Sequence, residues 1–125
     1  MYSHSQESLI RVFLGNHTGY PQWKGTRATA QEITDLYEGL KLSHLDDFDM
    51  MLSGYIPGAP AVEAVGAIAK DLKEKAKAVP GSFFWVLDPV MGDHGKLYVA
   101  EDVVPAYKAL VNHADLILPN QFEAE

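Results

Sequence analysis

The chain has 125 residues with a net charge of −7 and no cysteine, enough for one domain of ordinary size and small for a complete α/β enzyme. Its 47% hydrophobic and 22% charged content suits a soluble globular protein rather than a disordered one. The same figures exclude a disulfide frame and any thiolate nucleophile or metal ligand, and they leave no basic stripe for a nucleic acid.

No apolar run approaches the roughly 20 residues of a membrane helix. MYSHSQESLI lacks both a basic start and a long apolar core, so no secretory leader is expected and a cytoplasmic setting fits. Residues 1–8 are polar and unpatterned and are expected to be loosely attached, which leaves 9–125 for the folded domain. Leu9 to Leu14 reads as a strand interrupted by Arg11. NHTGYPQWKG, residues 16–25, combines Gly, Pro and ring side chains and is expected to be an irregular loop. His17, Thr18, Tyr20 and Trp23 could line a small-molecule pocket there; equally, the loop could be a plain connection.

Thr29 and Glu32 have the spacing of a capping box, and Ala30, Ile33, Leu36, Tyr37 and Leu40 follow as an apolar helical stripe. That helix should fail near Ser43–His44. Phe48 to Ser53 reads as a strand with Met50 to Leu52 as its buried centre, and it delivers Gly54 and Tyr55 at its carboxyl end. Pro60 suits the first turn of a long helix. Val62, Val65, Ala69, Leu72 and Ala76 form its buried face, and Lys70, Lys73, Glu74 and Lys77 its solvated one. Asp71 and Lys75 have i,i+4 spacing for an ion pair. Pro80 and Gly81 end the helix before a strand, Phe83 to Leu87, that is apolar on both faces. Leu97 to Val99 reads as a short edge strand. Glu101 and Asp102 suit a helix start, with Val103, Tyr107, Leu110 and Val111 facing inward. Leu116 to Leu118 is the last strand, and Asn120 and Glu123 have the spacing of another helix start. The sequence then stops within the turn that this signal announces, as a truncated chain would.

Alternating strands and helices give an α/β fold with right-handed crossovers, and ligands of such folds bind outside the carboxyl ends of the strands. Asp88, Asp93 and Glu123 stand at or just beyond those ends. A hard divalent cation needs oxygen ligands of this kind, usually one or two carboxylates with substrate phosphates completing its shell. Gly92 would let the backbone turn closely against a phosphate. Taken alone, the D-P-V-x-G-D spacing also suits phosphatases and receiver domains, and an Asp after a strand is often only a turn former.

LDPVMGD, LYVAEDVVPAYK and LPNQFEAE, with NHTGYPQWKG, LYEGL and LSGY before them in the same order, closely resemble the pyridoxal kinases of the ribokinase-like superfamily, most of all the eukaryotic branch. The resemblance covers residues 12–125 and rests on several separate motifs. It implies a three-layer α/β fold with a mostly parallel central sheet, incomplete at both ends in this chain. It implies ATP-dependent phosphorylation of the 5′-hydroxymethyl group of pyridoxal, pyridoxine and pyridoxamine. ATP and Mg²⁺ are the implied cofactors, with dependence on a monovalent cation left open; the implied partners are these small molecules, with a homodimer in full-length members and no nucleic acid or membrane. By the same resemblance His17, Thr18, Trp23 and Tyr55 line the vitamin pocket. Asp88, Tyr98 and Asn120 lie on the nucleotide side, and Asp93 and Glu123 serve the cation.

The chain also departs from the family pattern. MYSHSQESLI does not resemble the family's first strand and serine-bearing glycine loop. The Gly-Thr-Gly-Asp helix start that supplies the anion hole and the base is absent, and Leu118 stands where many relatives carry a hydroxyl residue. The expectation is therefore a pyridoxal kinase chain that is inactive at this length. A noncatalytic, partner-binding derivative and a hydroxymethylpyrimidine-type vitamin kinase are the alternatives; HTGY and NQFEAE weigh against the second.

Overall fold

The computed structural model of the chain describes residues 7–15, 24–90, 92–93, 96–97, 101–119 and 121–124, with backbone alone at 13–15, 92–93, 96–97 and 121–122. Strands β1 (Phe13–Gly15) and β2 (Gly25–Arg27) form an antiparallel pair. Of the strand expected over Leu9 to Leu14, only Phe13 and Leu14 lie in a strand, and that strand is not part of the main sheet. It is instead one arm of a separate ribbon, joined to the start of the next helix by the Ala28 N–H donating to the Val12 carbonyl at 2.9 Å. The other arm begins at Gly25, the last residue of the stretch expected to be irregular.

Helix α1 (Ala30–Leu42) begins as the sequence dictates. Thr29 is its N-cap, the Thr29 hydroxyl accepts from the Glu32 N–H at 3.0 Å, and Glu32 reaches back to the Thr29 N–H at 3.2 Å. It ends at Ser43, also as expected. His44 then takes a positive φ of 56° and donates to the Lys41 carbonyl, while Leu45 donates to that of Leu40. This is the Schellman arrangement, which satisfies two carbonyls of the last turn. Ile33 and Tyr37 are buried. Leu36, expected in the buried stripe, is 53% exposed, because only the part of the stripe that meets the next helix is covered.

Strands β3 (Met50–Ser53), β4 (Phe84–Leu87) and β7 (Leu116–Ile117) make a parallel sheet in the order β3-β4-β7. Helices α2 (Ala59–Lys75) and α3 (Val103–Leu110) make the two crossovers. The strand order advances in one direction, so right-handed crossovers put both helices on the same face of the sheet. Accordingly α2 lies between α1 and α3 and packs on both. Gly66 of α2 is where α3 comes closest: a Cβ built there would lie 2.5 Å from a Leu110 methyl. The described residues thus supply the sheet and one layer of helices.

Alternation along the strands then decides what is covered. Trp85, Leu87 and Ser53 point into the helical layer and are buried with Ile33, Val62 and Val103. Met50, Leu52, Phe84, Leu116 and Leu118 point the other way and are exposed, Met50 by 61% and Leu52 by 71%. Met50 to Leu52 is therefore not a buried centre; only alternate residues of that run face the core. The Phe83–Leu87 segment has strand neighbours on both sides but open space over one face.

The long helix buries Val62, Val65, Ala69 and Leu72 as its apolar period requires, with Pro60 in its first turn. Its polar face is less simple than the sequence suggests. Asp71 does not pair with Lys75. It accepts from the Tyr37 hydroxyl at 2.6 Å and pairs with Lys41 at 3.4 Å, while Lys75 pairs with Asp46. Lys73, expected in solvent, pairs with Asp115 at 3.2 Å and donates to the His113 carbonyl. A single 3-10 turn, Ala76–Ala78, ends this helix, and Gly81 takes the positive φ of 81° in the turn before β4. Downstream, β5 (Gly92–Asp93) and β6 (Lys96–Leu97) form a small antiparallel ribbon; of the edge strand expected over Leu97 to Val99 it contains Leu97, and Tyr98 and Val99 lie outside the described residues. The segment Gln121–Ala124 forms the helical turn α4. No helix among the described residues is long and apolar enough to cross a membrane.

Candidate functional site

Because β3, β4 and β7 run parallel, their carboxyl ends open on one edge of the sheet. Each ends just before a residue singled out by the sequence or its immediate neighbour. Strand β3 delivers Gly54 and Tyr55. Strand β4 delivers Asp88, whose N–H donates to the Ser53 carbonyl at 2.9 Å. Strand β7 leads to α4, which carries Glu123 and packs against the backbone of β5, where Asp93 sits. Three acid-bearing segments thus converge on one edge, as the topology required.

Asp88 turns sharply away from β4, with the Val90 N–H donating back to the Asp88 carbonyl at 2.9 Å. Partial burial, and then the charge of Glu123, raise the Asp88 pKa above the usual carboxylate range. The charge of Glu123 acting on Asp88 is of the kind that a divalent cation relieves. Among the described residues no three His, Cys, Asp or Glu side chains gather closely enough to hold a metal by themselves. A pair still fits Mg²⁺, which retains waters and takes further oxygens from phosphates.

Tyr107 of α3 lies beneath this edge. Its hydroxyl is directed at the Gly54 carbonyl at 3.4 Å, and burial, followed by the charges of Asp88 and Glu123, pushes the phenol pKa well upward. Beside it the Trp85 indole donates to the Ser53 hydroxyl at 3.0 Å, a bond made wholly inside the protein. Sequence periodicity identified Tyr107 as an inward-facing residue and Trp85 as part of an apolar run, without revealing either hydrogen bond. The available signal was Ser53 itself, a hydroxyl residue ending an apolar strand, which needs a partner once buried.

Of the residues proposed from the sequence, Tyr55, Asp88 and Glu123 are described with their side chains and Asp93 with its backbone. His17, Thr18, Trp23, Tyr98 and Asn120 lie outside the described residues. Two surface hollows lie away from this edge, one beside Asp46, Asp49 and Lys75 and one between α2 and α3. Neither is lined by Asp88.

No protein-family model matches the chain. Individual relatives do. Over 124 residues it is 42% identical to the pyridoxal kinase of Sus scrofa and 41% identical to that of Homo sapiens, each alignment covering 95% of this chain. The structure superimposes on the pyridoxal kinase of Leishmania donovani, solved with ADP and pyridoxamine, with a TM-score of 0.84 at 40% identity over 92% of this chain. By sequence and by fold, nearly the whole chain is homologous to part of the pyridoxal kinases. It spans 37% and 38% of the two curated pyridoxal kinases' own lengths and 40% of the Leishmania chain. The edge carrying Tyr55, Asp88 and Glu123 is thus part of a pyridoxal kinase fold, and its chemistry can be read in that light.

Proposed function

We propose that this chain supplies the vitamin-facing and cation-facing parts of a kinase that transfers the γ-phosphoryl group of ATP to the 5′-hydroxymethyl group of pyridoxal, pyridoxine or pyridoxamine. The observation that carries this reading is the strand-end edge that bears Tyr55, Asp88 and Glu123, in a chain homologous to pyridoxal kinases.

Phosphoryl transfer depends mainly on positioning and on neutralising phosphate charge. In this reading Asp88 and Glu123, with Asp93 from the adjoining ribbon, hold the cation side of the site. Bound Mg²⁺ would offset negative charge on the phosphate oxygens. Tyr98 and Asn120 act on the nucleotide, and His17, Thr18, Trp23 and Tyr55 hold the pyridine ring. The reading brings with it ATP as phosphoryl donor, a homodimer, a cytoplasmic setting, and no nucleic-acid or membrane partner.

Residues 1–125 contain no Gly-Thr-Gly-Asp sequence, so the 125-residue polypeptide assayed alone with MgATP and pyridoxal should form no pyridoxal phosphate above background. The site assignments are tested in a full-length version restored around this chain. Asp93→Asn should lower kcat by about a hundredfold, in the range of other losses of charge stabilisation, with the KM for pyridoxal little changed. Thr18→Val and Tyr55→Ala should act chiefly on the pyridoxal KM. A pure pyridoxal defect in the Asp93 variant would overturn the assignment.

A further inference from the structure

We infer that Trp85 and Tyr107 are positioning residues which clamp the end of β3, holding Tyr55 in register with Asp88 so that the vitamin side and the cation side of the site move as one body. The inference rests on the functional reading above for the meaning of the two sides, and on hydrogen bonds for the clamp.

Three groups from outside β3 converge on the two residues that precede Tyr55. The Asp88 N–H donates to the Ser53 carbonyl at 2.9 Å. The Trp85 indole N–H donates to the Ser53 hydroxyl at 3.0 Å, and the Tyr107 hydroxyl is directed at the Gly54 carbonyl at 3.4 Å. Ser53, Trp85 and Tyr107 are 5%, 0% and 1% exposed, and the Trp85–Ser53 bond is fully buried, so leaving the indole N–H unmatched would incur its desolvation cost. For filling the core alone a phenylalanine would serve in place of Tyr107. The hydroxyl adds an attachment, and its target is the carbonyl next to Tyr55.

Gly54 is why an attachment matters. A Cβ built there meets nothing within 4 Å, so crowding does not demand glycine at this position. What glycine contributes is backbone freedom, and freedom immediately before a ligand-facing residue blurs its position. Tyr107 restrains that joint from α3, and Trp85 restrains the residue before it from β4. Burial, and then two nearby carboxylates, further disfavour the phenolate, so the hydroxyl remains a donor.

The test compares Tyr107→Phe and Ser53→Ala in a full-length version restored around this chain. Each should raise the KM for pyridoxal about threefold to tenfold, the size expected of one lost internal hydrogen bond, with the KM for MgATP changed less than about twofold; Ser53→Ala, which leaves the buried Trp85 indole N–H unpaired, should also lower the melting temperature, and Tyr107→Phe should lower it less. Tyr107→Phe combined with Tyr55→Ala should be little worse than Tyr55→Ala alone, since both act through one residue. Amide hydrogen exchange without any ligand gives a second reading: exchange at residues 54–56 should quicken in Tyr107→Phe while β4 remains protected. Unchanged pyridoxal KM and unchanged exchange would overturn the clamp, as would equal losses for both substrates. If the parent protein fails to phosphorylate pyridoxal at all, the functional reading falls, and the exchange measurement still decides the clamp.

Discussion

Asp115 shows how one carboxylate can join three elements. It precedes β7, its Oδ2 accepts from the Trp85 N–H of β4 at 2.8 Å, and it pairs with Lys73 of α2. The backbone hydrogen bond is the main cause of its lowered pKa, with Lys73 adding to it. Since the folded state lowers this pKa, it binds the Asp115 proton less tightly than the unfolded chain does. The resulting stability is present above the ordinary carboxylate range and is lost as pH falls through the folded value. Both partners are about one-third exposed, 32% each, so water and salt weaken the ion pair. Asp115→Ala should therefore lower the melting temperature at pH 7, and the gap from the parent should narrow by about pH 3, below the usual Asp pKa. Thermal melts at the two pH values check this; a gap that is constant with pH would show that the charge contributes nothing.

At the scale of elements, α1 carries its own beginning and end. Thr29→Ala removes the N-cap acceptor and should destabilise by about 1 kcal/mol. His44 stands in the left-handed region that glycine enters without steric penalty, so His44→Gly should stabilise by about 0.5–1 kcal/mol. Denaturant melts of the two variants should move in opposite directions. These signals were legible in the sequence because each spans one helical turn. The acids at the strand ends were legible too, since alternating elements and short apolar runs locate the carboxyl edge of a parallel sheet. What could not be read was the choice among partners distant in sequence. Asp71 and Lys75 suit one another by spacing, yet Tyr37, Lys41 and Asp46 are brought up by the packing of other segments and take their places. Met50, Met51 and Leu52 are all apolar, so the run gives no hint that only alternate residues face inward. Ser53 and Trp85 lie 32 residues apart and meet only after β3 and β4 pair in register.

At the scale of the molecule, the sheet has helices on one face and Met50, Leu52, Phe84, Leu116 and Leu118 on the other. Full burial of a single large apolar side chain is worth roughly 1.5–3 kcal/mol, and a contiguous apolar patch of this kind promotes association. The 125-residue polypeptide should therefore self-associate in solution. Leu52→Glu, at a site 71% exposed, should restore smaller species in sedimentation velocity without loss of helix content. A monodisperse monomer for the parent polypeptide would refute the expectation. The two edges of the sheet also carry different duties. Three ion pairs among the described residues bridge elements, Lys41–Asp71, Lys73–Asp115 and Lys75–Asp46, and they involve the last turns of the helices or the approaches to the strands. Tyr55, Asp88 and Glu123 belong to the opposite edge. Inherited variation can therefore rewrite the loops beyond Ser53 and Leu87 while the latches that assemble the layers stay as they are. A scaffold divided in this way has room for new chemistry without learning to fold again.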